Sequence, residues 1–120
     1  MDAGALIALD RDDRRVLVLL ARAGEIAANV TVPATALAQV VRAPQRQVRL
    51  ARLLRQPTTD VVVLDRVDAI NVGRLLAASG TSDIVDAHVV ICARRRRQTV
   101  ATSDPDDLRL LDPGLALLRL

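Results

Sequence analysis

The chain contains no Phe, Trp or Tyr. That excludes the nucleic-acid modules that stack bases on aromatic rings. It also requires a core built from Leu, Val, Ile and Ala. Lysine is absent too, so all 17 basic residues are Arg. A receiver-type domain that takes phosphate on an Asp leans on a Lys from a later strand, and that reading is set aside. Phosphate contacts are not excluded, because the planar Arg fork makes them well. A single cysteine, Cys92, rules out an internal disulfide and fits a reducing, cytoplasmic setting. No Gly-rich loop follows a strand-like segment, which disfavours a dinucleotide fold. No apolar run approaches the roughly 20 residues that span a bilayer, so no membrane association is expected. Asp2 occupies the place of a basic n-region, so no signal peptide is read.

What is present is a chain of 120 residues, 51% apolar, with a net charge of +3. That is the size of one domain, residues 1–120, with one modest core. The modest excess of Arg fits either a solvated surface or a basic groove. Helical and strand-like segments alternate. Residues 3–9 form a short apolar turn or helix, and 12–24 a helix that opens on Asp12 and Asp13. Residues 28–33 read as a strand, and Pro33 opens a helix that Pro44 breaks. An Arg-rich helix covers 45–56, a buried-type strand 59–65, and a helix 66–80 that stops at Gly80. Ser82 is expected to cap the next helix, followed by a strand over 98–104, a short helix over 104–112 and a last strand near 115–120. Strand, helix, strand without hairpin signals predicts an α/β fold with parallel strands.

The segment 81–108 carries five Asp around an apolar stretch: Asp83, Asp86, Asp104, Asp106 and Asp107. Asp83 and Asp86 share one helix face at a spacing of three. Two readings stand. They are first-turn residues that suit the helix dipole, with Asp104 an Asx-type cap for the helix behind Pro105. Or they form a cation site, in which all-oxygen ligands suit Mg²⁺ or Mn²⁺ better than zinc.

Four stretches in order resemble the motifs of PIN-domain ribonucleases, specifically VapC-type toxins of toxin–antitoxin pairs. They are "DAGALIALDRDD", "TVPATALAQVVR", "DIVDAHVVICA" and "VATSDPDDLRLL", and together they cover nearly the whole chain. The resemblance implies a three-layer α/β/α fold with a central parallel sheet. The first strand is curtailed here, since only Met1 precedes Asp2. It implies a Mg²⁺- or Mn²⁺-dependent endoribonuclease, usually a homodimer, silenced by a cognate VapB-type antitoxin. By the same resemblance Asp2, Asp86 and Asp104 are the catalytic metal-site carboxylates, and Asp83 is a further metal ligand. Asp107, Thr102 and Ser103 are auxiliary residues of the cleft. The family's second motif carries a Glu on the helix after the Pro. Gln39 stands there instead, offering a carbonyl oxygen and no charge. Asp83 adds a carboxylate one turn from Asp86.

Other residues carry expectations of their own. Arg42 is either a solvated helix-end cation or a group that reaches the cleft to steady a carboxylate or an RNA phosphate. The run Arg94 to Arg97 is either a solvated helix cap or an RNA-backbone contact. His88 lies two positions past Asp86 and is expected on the surface or a dimer face. Cys92 is expected in the core, and Asp10, Asp12 and Asp13 are expected as helix caps. The functional alternatives are a nuclease, a PIN-fold module that binds RNA or antitoxin without turnover, and a dimerising structural subunit.

Overall fold

A computed structural model describes all residues 1–120. Seven helices and four short strands alternate along the chain. They are α1 (Ala3–Asp10), α2 (Arg14–Glu25), β1 (Val30–Pro33), α3 (Ala34–Val40), α4 (Val48–Leu54), β2 (Thr59–Val62), α5 (Arg66–Ser79), α6 (Ile84–Arg96), β3 (Val100–Thr102), α7 (Pro105–Leu111) and β4 (Leu117–Arg119). A single 3₁₀ turn, Pro44–Arg46, separates α3 from α4. No single helix is long and apolar enough to cross a membrane.

Local chemistry explains most boundaries. Asp2, Asp13, Asp65 and Asp83 each N-cap a helix through a side-chain oxygen. Gly80 ends α5 in the left-handed conformation, φ +68°, that glycine adopts without strain. The cap of α6 is therefore Asp83 and not the expected Ser82. A carboxylate competes well for the Asp86 N–H, and Asp83 adds charge where the helix dipole favours it.

The strands pair in parallel, as expected, but in two separate two-stranded sheets. Val30 to Pro33 pair with Thr59 to Val62, and Val100 to Thr102 with Leu117 to Arg119. The start of the chain runs between the two sheets. The Met1 amino group donates to the Thr31 carbonyl at 2.8 Å, and the Asp2 N–H to that of Ala101 at 3.4 Å. With α1 starting at Ala3, two residues are all that bridge β1 and β3, too few for a full ladder. The strand expected as buried, 59–65, is shorter and half-exposed. Its outer edge has no neighbour, and Val61 and Val63 face solvent.

The core is aliphatic throughout. Leu6, Val16, Val32, Val90 and Leu108 are at most 1% exposed and belong to one cluster. The helix α1 is apolar on every side and sits against α3, α4 and β3. α6 packs on α3, α5 and α7. Burying each such side chain contributes about 1.5–3 kcal/mol. α1 and α6 also carry Asp2 and Asp86 at their N-terminal ends, so the core positions the carboxylates directly.

Candidate functional site

Each carboxylate is placed by a local device. Asp2 is 4% exposed, and its Oδ1 accepts from the Ala5 N–H at 2.8 Å, which leaves Oδ2 free of that bond. Gly4 follows in the first turn of α1. A Cβ there would collide with the Ser103 Oγ, so glycine lets α1 seat against the loop that carries Asp104. That loop is pinned from within: the Thr102 Oγ1, fully buried at the end of β3, accepts the Asp104 N–H at 2.9 Å. The Asp104 carboxylate does not cap α7. The Asx-type cap is thus not what the residue does, and Asp104 is held through its backbone instead. Asp83 and Asp86 open α6, with the Asp83 Oδ1 accepting from the Asp86 N–H at 2.9 Å. Asp83, Asp86 and Asp107 help line a cleft of about 280 Å³, together with Leu110 and Leu111.

Electrostatics tie the group together. Asp86 is pushed up to about 6, first by burial and then by the charges of Asp83, Asp2, Asp107 and Asp104, in that order. Each of these four acids therefore lies close enough to Asp86 to raise its pKa. None of the five takes part in a salt bridge; the ion-paired acids are Asp12, Asp13, Asp60, Asp68, Asp106 and Asp112. Five acids in one region without a salt bridge are costly to assemble, although the buried Met1 ammonium interacts with Asp2. The oxygens do not converge on a point: no three acidic, His or Cys side chains stand close enough to hold an ion as they are placed. The donor set is nonetheless chemically matched to a hard divalent cation. It is all oxygen, mostly uncommitted, and already strained by like charge.

The auxiliary residues divide. Thr102 holds the Asp104 loop, and Ser103 meets α1. Gln39 is exposed on α3. Arg42 is exposed too, and its guanidinium donates to the Ala38 and Val41 carbonyls at 3.0 and 2.6 Å. It terminates its own helix and is not directed at a carboxylate.

Sequence reasoning misjudged His88. His88 is not on the surface; it is fully buried, with Nδ1 at 2.7 Å from the Thr35 Oγ1 and Nε2 unpartnered. Burial holds its pKa below the ordinary value. The Arg run lies exposed at the end of α6, as the helix-cap reading expects, and three of its members also form ion pairs. Arg94 pairs with Asp112, Arg95 with Asp68 and Arg96 with Asp60. Asp68 is 1% exposed and held by both guanidinium nitrogens of Arg95. The signal available was Asp68 three residues after the cap Asp65, whose Oδ1 takes the Asp68 N–H at 2.8 Å. Cys92 is buried as expected, its thiol pushed up to about 11 by the apolar surroundings. Of the predicted caps, Asp13 caps α2, whereas Asp10 accepts from Gln47 at 3.2 Å and Asp12 pairs with Arg49 at 3.0 Å.

A larger apolar cleft of about 560 Å³ lies between α2 and α4, and none of the five acids lines it. No protein-family model matches the chain, and no curated protein sequence matches it either.

Proposed function

We propose that the protein is a metal-dependent endoribonuclease of the PIN type, a VapC-like toxin held in check by a cognate antitoxin. The observation that carries this reading is the set of five acids without a salt bridge, with Asp86 raised to about 6 by burial and by its neighbours. A site that disfavours its own ionised form gains most from a divalent ion. The PIN-like three-layer arrangement is part of the same proposal. It is supported by two parallel strand pairs flanking the Met1–Asp2 entry.

Asp2, Asp86 and Asp104 would hold Mg²⁺ or Mn²⁺, with Asp83 and Asp107 at the rim of the cleft. Once bound, the ion supplies Lewis-acid polarisation and an activated water for phosphodiester hydrolysis. The chain's own contributions are positional. Asp83 fixes the first turn of α6 and so the direction of the Asp86 carboxylate. Thr102 fixes the backbone of Asp104. Gly4 lets Asp2 and the Ser103–Asp104 loop approach. Each restricts a ligand before binding, which lowers the ordering cost of the loaded site.

The test is a digest of structured RNA by purified protein with Mg²⁺, with Mn²⁺ and with EDTA, alongside Asp86→Asn and Asp104→Asn. Cleavage that requires metal and disappears in both variants supports the proposal. Cleavage that survives them comes from a contaminant and removes its support. A second reading, an RNA- or antitoxin-binding module without turnover, is favoured by the failure of the acids to converge and by exposed Gln39 in the place of an acid. It gives RNA binding that weakens with salt and ignores EDTA.

A further inference from the structure

The cleft between α2 and α4 lies apart from the five acids and has a construction of its own. Both helices pack on α1, and the space left between them is about 560 Å³. That is the size of a pocket for a small organic ligand. Its α2 side is aliphatic. Leu17, Leu20 and Ala21 line it there, with Leu9 and Leu53 buried at its base. Leu17 is 36% exposed, so the cleft leaves apolar surface open to water.

The α4 side is polar and cationic. Arg49 and Arg52, at a spacing of three, share one face of α4, and Gln56 follows them. Arg49 is held by Asp12 at 3.0 Å. Arg52 takes part in no salt bridge. Asp12 is the one acid in the lining, so this rim carries an excess of positive charge. The Thr59 Oγ1, in the same lining, is buried and makes no hydrogen bond. A hydroxyl in that state gains from an incoming acceptor. An aliphatic body with a cationic end matches a ligand that is apolar along its length and anionic at its head. The α2 lining runs from Leu17 to Gly24, about 10 Å of helix and the extended length of about eight to ten carbons.

We propose that this cleft binds a single-chain aliphatic carboxylate. The tail lies along Leu17, Leu20 and Leu53, where it displaces water, and the carboxylate meets the Arg52 guanidinium. The proposal does not rest on the nuclease reading: it uses none of the five acids, and its test contains no RNA and no metal.

The probes are hexanoate, octanoate and decanoate, titrated calorimetrically into the full chain below their micellar concentrations. One-to-one binding is expected to tighten by about fourfold for each added methylene that is buried. Decylammonium, the same tail with the opposite charge, is expected to bind more weakly than decanoate. Arg52→Gln is expected to weaken decanoate by about three- to fivefold, as for an exposed ion pair, and not to weaken decylammonium. Gly24→Leu fills the cleft. A Cβ at Gly24 meets no atom within 4 Å, and leucine favours a helix over glycine. The variant therefore keeps its helical circular dichroism and loses most of its affinity for decanoate. Absence of saturable binding by decanoate would overturn the proposal. So would an affinity that does not change with tail length, which marks ionic adsorption to surface arginines. Equal affinities for decanoate and decylammonium would remove the carboxylate, and undiminished binding by Gly24→Leu would place the tail elsewhere.

Discussion

The Asp83 carboxylate accepts the Asp86 N–H at 2.9 Å, so the residue that starts α6 also sets a second negative charge one turn from the first. Capping and repulsion come from the same side chain, and substitution separates them. Asp83→Asn keeps the cap, since Asn and Asp cap about equally well, and removes the charge. The Asp86 pKa is expected to fall from about 6. It does not reach the ordinary value, because burial is the larger cause and remains. A ¹³C-detected titration of the Asp86 carboxyl group measures this; an unmoved pKa would show that the two charges do not interact.

Asp86 also makes stability depend on pH, with a definite sign. Its folded-state pKa lies above the ordinary value, so ionisation is harder in the fold than in the unfolded chain. Its contribution is fully present below about pH 4 and is lost as pH rises through about 6. His88 acts oppositely: with its pKa lowered by burial, it destabilises the fold as pH drops below the ordinary histidine range. The two overlap, so wild type alone does not separate them. Asp86→Asn does. The variant is expected to be more stable than wild type by about 1 kcal/mol at pH 7–8, after discounting for solvent screening. The difference should vanish by about pH 4. Urea unfolding at four or five pH values reads it directly.

A divalent ion bound by these acids stabilises the folded state by mass action. At ten times its dissociation constant, Mn²⁺ contributes about 1.4 kcal/mol. Wild type is therefore expected to melt several degrees higher with millimolar Mn²⁺, and Asp86→Asn and Asp104→Asn to show little or no rise. Equal rises in all three would place the ion elsewhere. This readout needs no RNA and separates metal binding from turnover.

Arg95 holds a carboxylate that is almost wholly buried. Removing it, as in Arg95→Met, leaves the buried Asp68 carboxylate without its ion-pair partner and is expected to destabilise the fold. Replacing both residues, Asp68→Leu with Arg95→Met, is expected to recover most of the loss, because a packed apolar pair avoids the desolvation penalty. Chemical denaturation of the two single variants and the double variant gives the coupling.

Thr102→Val keeps the volume of a fully buried side chain and removes the hydroxyl that receives the Asp104 N–H. A loss of about 1–2 kcal/mol is expected. Amide exchange should accelerate at Asp104 and its immediate neighbours, while β1 and β2 are unaffected.

Element types were largely legible in the chain because each rests on short-range chemistry. Gly80 ends α5, Pro44 separates α3 from α4, and Asp13 starts α2, all readable within a few residues. Apart from the caps of α6 and α7, the errors came where distant segments decide. His88 was misplaced because helical spacing relates it to Asp86 but cannot show that α3 supplies Thr35 as a partner 53 positions away. The Arg run ends α6 as read, but its ion-pair partners, Asp60, Asp68 and Asp112, come from three other segments and no local pattern shows them. Of the two readings open for Arg42, the structure bears out the solvated helix-end cation, held by the Ala38 and Val41 carbonyls.

By itself the sequence determined the alternation of helices and parallel strands, the aliphatic core, and the supply of acids near residues 83–107. These follow from periodicity, capping and composition, which act over one or two turns. Only the tertiary structure decided that Asp2, 84 positions from Asp86, shares its electrostatic environment, that none of these acids forms a salt bridge, and that β1 and β3 stand apart in two sheets. Those outcomes depend on which surfaces meet when α1 and α6 are buried together, and no local pattern encodes a distance between segments that touch only after folding.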